Sequence, residues 1–155
     1  MLSRLLLLLF LGLGVCLAQT ADSYVHQPGS RLSLAEMTAL CEDRSLKRLD
    51  LRGGGLRDRD VVPLAKATWL EELHLDSHTL TPTGYAVLKD LKNLKVLGVQ
   101  SLSSPEEIET VFELIKDFPL EELNLSNSSV LSGEGLAKLN CHKTLKVLDL
   151  SCSRG

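Results

Sequence analysis

Aromatic side chains are scarce in this sequence, which has one Trp, two Tyr and three Phe among its 155 residues. Proteins that bind nucleic acid by base stacking need exposed rings, so the composition argues against that class. No basic run stands out, and 17 basic against 20 acidic residues give a net charge of −3. Nucleic acid is therefore not expected as a partner. The four cysteines are too few and too scattered for a disulfide-dense miniprotein.

The first eighteen residues contain the one long apolar stretch of the chain. Arg4 supplies a positive charge, and 14 apolar or small residues follow from Leu5 to Ala18. This pattern is typical of a cleavable secretory signal peptide over residues 1–18, and it is shorter than the about 20 residues that span a bilayer as a helix. An uncleaved anchor and a lipoprotein modified at Cys16 are the alternatives. We expect a secreted or extracellular protein, periplasmic in a bacterium, without membrane insertion after cleavage.

A leucine pattern, L-x-x-L-x-L, recurs five times in the remaining chain. Its copies begin at Leu46, Leu70, Leu94, Leu120 and Leu145, with separations of 24, 24, 26 and 25 residues. Fourteen of the fifteen signature positions are Leu and the other is Val99. The last two apolar residues of each copy are two apart, which places them on one face of a short strand.

The second half of each unit has a helical period instead. Apolar residues three to four apart, such as Val61 and Leu64 or Ile108 and Val111, predict one buried helix face. Ser104-Pro105 with Glu107 predicts a capped helix start, Thr81-Pro82 predicts a second, and Ser132 precedes a further helix. Alternating strands and helices at this period build a stack with a parallel sheet on one wall.

These repeats resemble the leucine-rich repeat family over residues 46–150. The second halves LTPTGYAVL and LSGEGLAKL and the units of about 25 residues are most similar to its ribonuclease-inhibitor-like and cysteine-containing types. The resemblance implies an α/β solenoid, a short horseshoe arc with a parallel β-sheet on the concave face and helices on the convex face. The family often places Asn or Cys three residues beyond the L-x-L, whereas this chain has Gly54, His78, Leu102, Ser128 and Ser153 there. An asparagine ladder is therefore not expected.

The two ends of the stack differ in what covers them. Ser33 and Glu36 form a capping-box pattern that predicts an amphipathic helix through about Cys41, within an N-terminal capping segment over residues 32–45. Residues 19–31 are interpreted as a flexible leader. Residues 46–155 form the repeat domain, of about five repeats with the last incomplete. Its fifth strand, through Leu150, is followed by five residues, so we expect an open edge there.

Residues that alternate with the signature leucines should face the inner wall. The central row is Asp50, His74, Gly98, Asn124 and Asp149; the flanking rows are Arg48, Glu72, Val96, Glu122 and Val147, and Arg52, Asp76, Gln100, Ser126 and Ser151. The candidate ligand-binding residues are Arg48, Asp50, Arg52, Glu72, His74, Asp76, Gln100, Glu122, Asn124 and Ser126. Beside them Lys47, Glu71, Lys95, Glu121 and Lys146 alternate in sign. A solvated salt-bridge ladder is the favoured interpretation of that alternation, and a recognition surface is the alternative.

The sequence gives little support for a metal site or a catalytic site. His74, Asp76 and His78, with Asp50 alongside, suggest a metal site, but His78 lies past the strand and no fourth ligand has a fixed spacing. A surface Asp–His pair is the favoured interpretation. A hydrolytic triad with Ser126 or Ser151 lacks a nucleophile elbow and an oxyanion hole. We predict no enzyme activity, no metal and no cofactor.

Three further features concern modification and partners. Asn124 and Asn127 each begin an N-x-[ST] acceptor pattern, and Asn127, in a turn, is the more favourable of the two. Signal cleavage would leave Cys41, Cys141 and Cys152, an odd number in an oxidising compartment. Cys41 and Cys141 are predicted in helices as buried apolar residues, whereas Cys152, at the open edge, is the candidate for an intermolecular disulfide.

The favoured hypothesis is a secreted or surface leucine-rich repeat module that binds a protein or peptide without catalysis. This role is what the resemblance implies for the concave face. The alternative is a structural protein that assembles with itself through the uncapped Leu145–Leu150 strand. The predicted signal peptide conflicts with the ubiquitin-ligase adaptor role of similar cytosolic repeats.

Overall fold

The described part of the chain contains six parallel strands in a single sheet, one more than the leucine pattern predicted. The structure, a computed structural model, describes residues 21–27, 29–129, 133–137, 139 and 143–153. The predicted signal peptide at 1–18 and Cys141 lie outside the described residues. The strands are β1 (Ser23–Val25), β2 (Arg48–Asp50), β3 (Glu72–Asp76), β4 (Val96–Gln100), β5 (Glu122–Asn124) and β6 (Val147–Asp149). Each pairs in parallel with the next in chain order.

The sheet register places equivalent leucines directly beside one another. Leu49, Leu73, Leu97, Leu123 and Leu148 lie in one row across five strands. The first four of these side chains are at most 1% exposed. The 24–26-residue spacing of the sequence thus becomes a continuous buried row, as expected for a repeat that buries its apolar face against its neighbours.

Helices occupy the second half of each unit. They are α1 (Leu34–Glu42), α2 (Asp58–Val61), α3 (Pro82–Tyr85), α4 (Pro105–Ile115) and α5 (Gly133–Ala137). The short helices α2 and α3 continue as 3₁₀ turns over Val62–Lys66 and Ala86–Asp90. Their buried residues include Val61, Leu64, Leu88, Ile108 and Val111, as the helical period predicted.

The predicted helix starts are confirmed at three positions. Ser33 and Ser104 each accept a hydrogen bond from the backbone N–H three residues on and complete a capping box with Glu36 and Glu107. Thr81 accepts a hydrogen bond from the backbone N–H of Thr83 at the start of α3. Ser132 lies outside the described residues.

The prediction of a flexible leader over residues 19–31 was wrong for residues 23–25, which form β1. Tyr24 pairs in register with Leu49, and His26 continues the strand by donating its backbone N–H to the Asp50 carbonyl oxygen at 2.8 Å. Both side chains are buried at positions where later units have leucine. The Tyr24 hydroxyl lies 3.4 Å from His26 Nδ1, and His26 Nε2 lies 3.0 Å from the Ser30 carbonyl oxygen. Because polar side chains replace the leucines, the repeat pattern did not reveal this unit.

The helix α1, predicted as the N-terminal cap, therefore occupies the helical half of a unit that begins with β1. It lies between β1 and β2 in the chain, in the same place that α2 takes between β2 and β3.

Asp60 of α2 connects the segment before α1 to the next unit. Its carboxylate is buried and lies 3.1 Å from Arg31 Nη2 and 3.1 Å from the backbone nitrogen of Arg57. Burial opposes ionisation, but these hydrogen bonds and arginine charges outweigh it and lower the pKa of Asp60.

Serine hydroxyls bond the turns of the last units where the family often has asparagine. Ser128 Oγ accepts a hydrogen bond from the backbone N–H of Leu102 at 3.2 Å. Ser153 Oγ accepts one from the backbone N–H of Ser128 at 3.2 Å and donates to the Leu125 carbonyl oxygen at 3.1 Å. A hydroxyl both donates and accepts, so one serine can join two adjacent units without an asparagine ladder.

Candidate functional site

The candidate site is the side of the sheet whose residues alternate with the buried leucines, here called the open face. It consists of the strand residues Arg48, Asp50, Glu72, His74, Asp76, Val96, Gly98, Gln100, Glu122, Asn124, Val147 and Asp149, with Arg52 just beyond β2. The strand register confirms that the central row runs from Asp50 through His74, Gly98 and Asn124 to Asp149. The first flanking row, from Arg48 to Val147, is also in register.

The charges over β2 are already paired within the chain. Arg52 donates from Nε to Asp50 Oδ1 at 2.9 Å and from Nη2 to Asp50 Oδ2 at 2.5 Å. Burial alone would raise the pKa of Asp50, but the hydrogen bonds and charge of Arg52 outweigh it and the pKa is lowered. The pKa of Arg52 is raised, chiefly by its hydrogen bond to Asp50. This two-point contact fixes both side chains.

The charges over β3 also have neighbours within the chain, although Asp76 Oδ1 is buried and has no hydrogen-bond partner among the described residues. His74 Nε2 lies 3.0 Å from Glu72 Oε1, and the other oxygen of Glu72 lies 3.7 Å from Arg48 Nε. Asp76 Oδ1 lies 3.4 Å from His78 Nε2. The favoured interpretation of a surface Asp–His pair therefore fits the contact between Asp76 and His78.

A glycine on β4 makes room for the His74 ring. A Cβ atom at Gly98 would lie 2.3 Å from His74 Nδ1, closer than any real contact. The ring covers Gly98, which is buried, and the His74 side chain is 17% exposed. Its Nδ1 atom is buried and has no hydrogen-bond partner among the residues that the structure describes. The ring is thus held between Glu72 on its own strand and the bare backbone of the next.

Amide side chains join β4, β5 and β6. Gln100 Nε2 lies 3.4 Å from Asn124 Oδ1, and Asn124 Nδ2 donates to Asp149 Oδ2 at 3.0 Å. The backbone N–H of Ser151 donates to Asp149 Oδ1 at 2.8 Å, and this bond lowers the pKa of Asp149. The central row is therefore ordered by its own hydrogen bonds.

Ser126 was predicted to line this face, but it is 5% exposed and cannot offer its side chain to a ligand. The chain turns at Ser126, and neighbouring units enclose that turn. The Ser126 carbonyl oxygen accepts the backbone N–H of Ser101 at 3.0 Å, and the next N–H, of Asn127, donates to the Ser151 carbonyl oxygen at 2.9 Å. The period-2 alternation that places residues on the open face thus ends one residue before Ser126.

Glu122 is the exception among the acidic residues of the open face. It lies directly between Val96 and Val147 in the first flanking row. Its side chain is exposed and has no hydrogen bond or ion pair within the described residues. Glu72 has the same place two strands earlier but contacts both Arg48 and His74.

The row of alternating charges forms the predicted salt-bridge ladder over most of its length. Glu71 lies 3.0 Å from Lys47 and 2.9 Å from Lys95, and Glu121 lies 2.6 Å from Lys146. Hydrogen bonds from Lys95 and then Lys47 lower the pKa of Glu71 to about 2. Since exposed ion pairs stabilise proteins little, the ladder adds little to the stability of the sheet.

The described residues contain no group of three or more His, Cys, Asp or Glu side chains placed to hold a metal ion. Within the same residues, none of the helices has the length and apolar character needed to span a membrane.

Comparison with solved structures shows a likeness of fold. No family model matches the chain, and no curated protein matches it. Among solved structures, the chain is similar to internalin C2 (inlC2) from Listeria monocytogenes str. 4b F2365, with a TM-score of 0.51 and 24% sequence identity. The match covers 76% of this chain and 47% of that one, so the chain spans about half the length of its neighbour. Internalins are leucine-rich repeat proteins.

The chain has a leucine-rich-repeat-like α/β fold. In four of the five L-x-L copies, the second residue beyond the copy adopts a left-handed backbone: Gly53, Ser101, Asn127 and Cys152. Asn127 is exposed in that turn, whereas both polar atoms of the Asn124 side chain are hydrogen-bonded. The geometry therefore favours Asn127 over Asn124 as a glycosylation acceptor.

The two described cysteines differ as the sequence predicted. Cys41 is buried in α1, and burial raises its pKa to about 12, so its thiol stays protonated. Cys152 is exposed and forms no disulfide with another described residue. Its intermolecular disulfide stays a prediction.

The structure brings nine of the ten predicted binding residues to the open face and adds Asp149 and three uncharged residues. Val96, Gly98 and Val147 were placed in the predicted rows but not among the candidates, since they carry no charge. Their importance lies in what they do to neighbours: Gly98 admits His74, and the two valines flank Glu122. A lone glycine in an otherwise polar central row was the signal that could have revealed the first of these.

Proposed function

We propose that this protein is a secreted or surface leucine-rich repeat module that binds a polypeptide through the open face, without catalysis. The observation that carries the proposal is the order of that face. The contacts of Asp50 with Arg52 and of Glu72 with His74 hold partly exposed polar groups in one arrangement before any ligand binds. Such preorganisation reduces the entropy lost on binding.

The finer assignments rest on the sequence. Secretion follows from the signal-peptide pattern at residues 1–18. The ribonuclease-inhibitor-like or cysteine-containing subtype follows from units of about 25 residues and the second halves that contain Tyr85 and Leu136.

The size of the open face favours a peptide segment over a large folded partner. The five strands β2–β6 at about 4.8 Å spacing span about 19 Å, and five residues along a strand span about 17 Å, which gives about 330 Å² in projection. A standard protein–protein interface buries about 800 Å² on each partner. We therefore propose an extended peptide, or a protruding loop of a larger protein, as the ligand.

The test selects binding peptides from a displayed library of random dodecapeptides on the wild-type protein. The affinities of the selected peptides are then measured for the triple variant Glu72→Ala, His74→Ala, Asn124→Ala. We expect at least a tenfold loss, because three ordered groups of the open face are removed together.

The control is the triple variant Lys89→Ala, Glu106→Ala, Glu113→Ala, whose exposed side chains lie in the helical halves of the units. It should bind the peptides like wild type, with both variants measured well below their unfolding temperatures. Selected peptides that bind the open-face variant as tightly as wild type would contradict the proposal.

A second candidate function is self-assembly through β6, and a specific observation favours it. Leu148 is 41% exposed, although its row partners Leu73, Leu97 and Leu123 are buried. Val147 beside it is also exposed. An exposed apolar strand at a sheet edge is a template for pairing with another chain. Light scattering across a concentration series, with and without reductant, would detect such pairing and any contribution from Cys152.

A further inference from the structure

We propose that Glu122, with Val96 and Val147 on either side, binds one lysine or arginine side chain of an extended polypeptide ligand. The inference rests on the proposed function and names the chemistry of the ligand at one position. It assigns the recognition of a basic residue to strands β4–β6 of the open face.

The first argument is the pairing of charges. Every other carboxylate of the open face lies beside a basic or N–H group of the chain. Asp50, Glu72 and Asp149 accept hydrogen bonds, and Asp76 lies 3.4 Å from His78 without one among the described residues. Glu122 has no hydrogen bond or ion pair within the described residues.

The neighbouring lysines do not fill this role. Lys95 and Lys146 immediately precede Val96 and Val147, but Lys95 contacts Glu71 at 2.9 Å and Lys146 contacts Glu121 at 2.6 Å. Both ammonium groups thus already have carboxylate partners in the ladder. The Glu122 carboxylate remains available to a cation from another molecule.

The second argument is the apolar flank on each side of the carboxylate. Parallel strands lie about 4.8 Å apart, so the two valines stand directly against Glu122, and Val147 is 49% exposed. Lysine and arginine bury their aliphatic stems on apolar surface while the charged end contacts a polar group. A valine–glutamate–valine triplet offers both kinds of contact across three strands.

The cost of removing water from the Glu122 carboxylate explains why the ligand group is a cation and not an apolar or acidic group. A ligand that covers the two valines also removes water from the carboxylate between them. Burying a carboxylate without a partner costs far more than two valine contacts return. Apolar or acidic side chains at this position are therefore rejected, whereas an ammonium or guanidinium group compensates the carboxylate.

The test uses the dodecapeptides selected on the wild-type protein and the isosteric variant Glu122→Gln. The selected sequences should share a lysine or arginine, and their affinity should fall about tenfold in this variant. Glu106→Gln, which removes the same charge from an exposed residue of α4, should leave affinity unchanged. Val96→Thr and Val147→Thr should each weaken binding two- to fivefold.

A charge exchange provides the sharpest arm of the experiment. Peptides whose shared basic residue is replaced by glutamate should bind Glu122→Lys more tightly than they bind wild type. Peptides without a shared basic residue, or with equal affinity for wild type and Glu122→Gln, would overturn the inference. If such peptides still lost affinity for the Glu72, His74 and Asn124 triple variant, the proposed function would stand and this inference alone would fail.

Discussion

Strands β2 and β3 carry the same repeat as β5 and β6, but their side chains have different environments. Glu72 and Glu122 lie in one row, yet Glu72 contacts His74 and Arg48 while Glu122 contacts no charged group among the described residues. On the other side of the sheet, Leu73 is fully buried and its row partner Leu148 is 41% exposed.

This difference shows that a repeat fixes where a side chain lies but not what it contacts. The position of a residue in its row follows from the spacing within its own unit. Its partners come from neighbouring units, 24–26 residues away in sequence. The β2–β3 half is paired internally, and the β5–β6 half keeps exposed charge and apolar surface that a ligand or a second copy would cover.

The largest expected effect is a difference in stability between substitutions at the middle and at the end of the buried leucine row. Leu73→Ala should lower the free energy of unfolding by about 3 kcal/mol, because it leaves a cavity between packed units. Leu148→Ala should cost about 1 kcal/mol or less, because that side chain is already partly in water. Urea unfolding of both variants measures the difference. Equal losses would mean that β6 is as well packed as β3, and the comparison would fail.

A smaller effect is expected at Gly98, on the boundary between the two halves. Gly98→Ala would place a Cβ atom 2.3 Å from His74 Nδ1, so the ring must move from its position over Gly98. In a His74→Ala background the new methyl group meets no ring. A double-mutant cycle on the free energy of unfolding should therefore give a coupling of about 1 kcal/mol. Additive effects would show that the ring does not cover Gly98 in solution.

The smallest expected effect concerns the pH dependence of the paired half. Because the folded pKa of Asp50 lies below its ordinary value of 3.8, its stabilising effect is complete above that value. The effect is lost as the pH falls through the lowered folded pKa. The stability difference between wild type and Asp50→Asn should thus be constant near pH 6 and shrink below about pH 4. Urea unfolding from pH 6 to pH 2 measures it.

Replacement of Arg52 provides the matched control. Since Arg52 lowers the pKa of Asp50, Arg52→Gln should raise that pKa and flatten the pH dependence of the difference. A difference that stays constant down to pH 2 in the wild-type background would contradict the assigned contact between Asp50 and Arg52.

Most of the fold could be predicted from the leucine pattern because its information is local. The five strands, the capping boxes at Ser33 and Ser104 and the order of the rows follow from residues within one unit. The first unit escaped prediction because Tyr24 and His26 replace leucine and satisfy their polar groups through each other and Ser30. Ser126 was misplaced because the turn that encloses it depends on the units on both sides.

The sequence by itself determined the repeat length, the parallel register and which residues share a row, since hydrophobic periodicity acts over a few neighbouring positions. The tertiary structure decided which charges are paired, which leucine is exposed, and that a glycine on β4 holds the histidine of β3. Those outcomes depend on side chains brought to about 5 Å from units far apart in the chain. Glu72 and Glu122 are the same residue type in the same row, and their neighbours alone make one part of an internal pair and the other a candidate binding group.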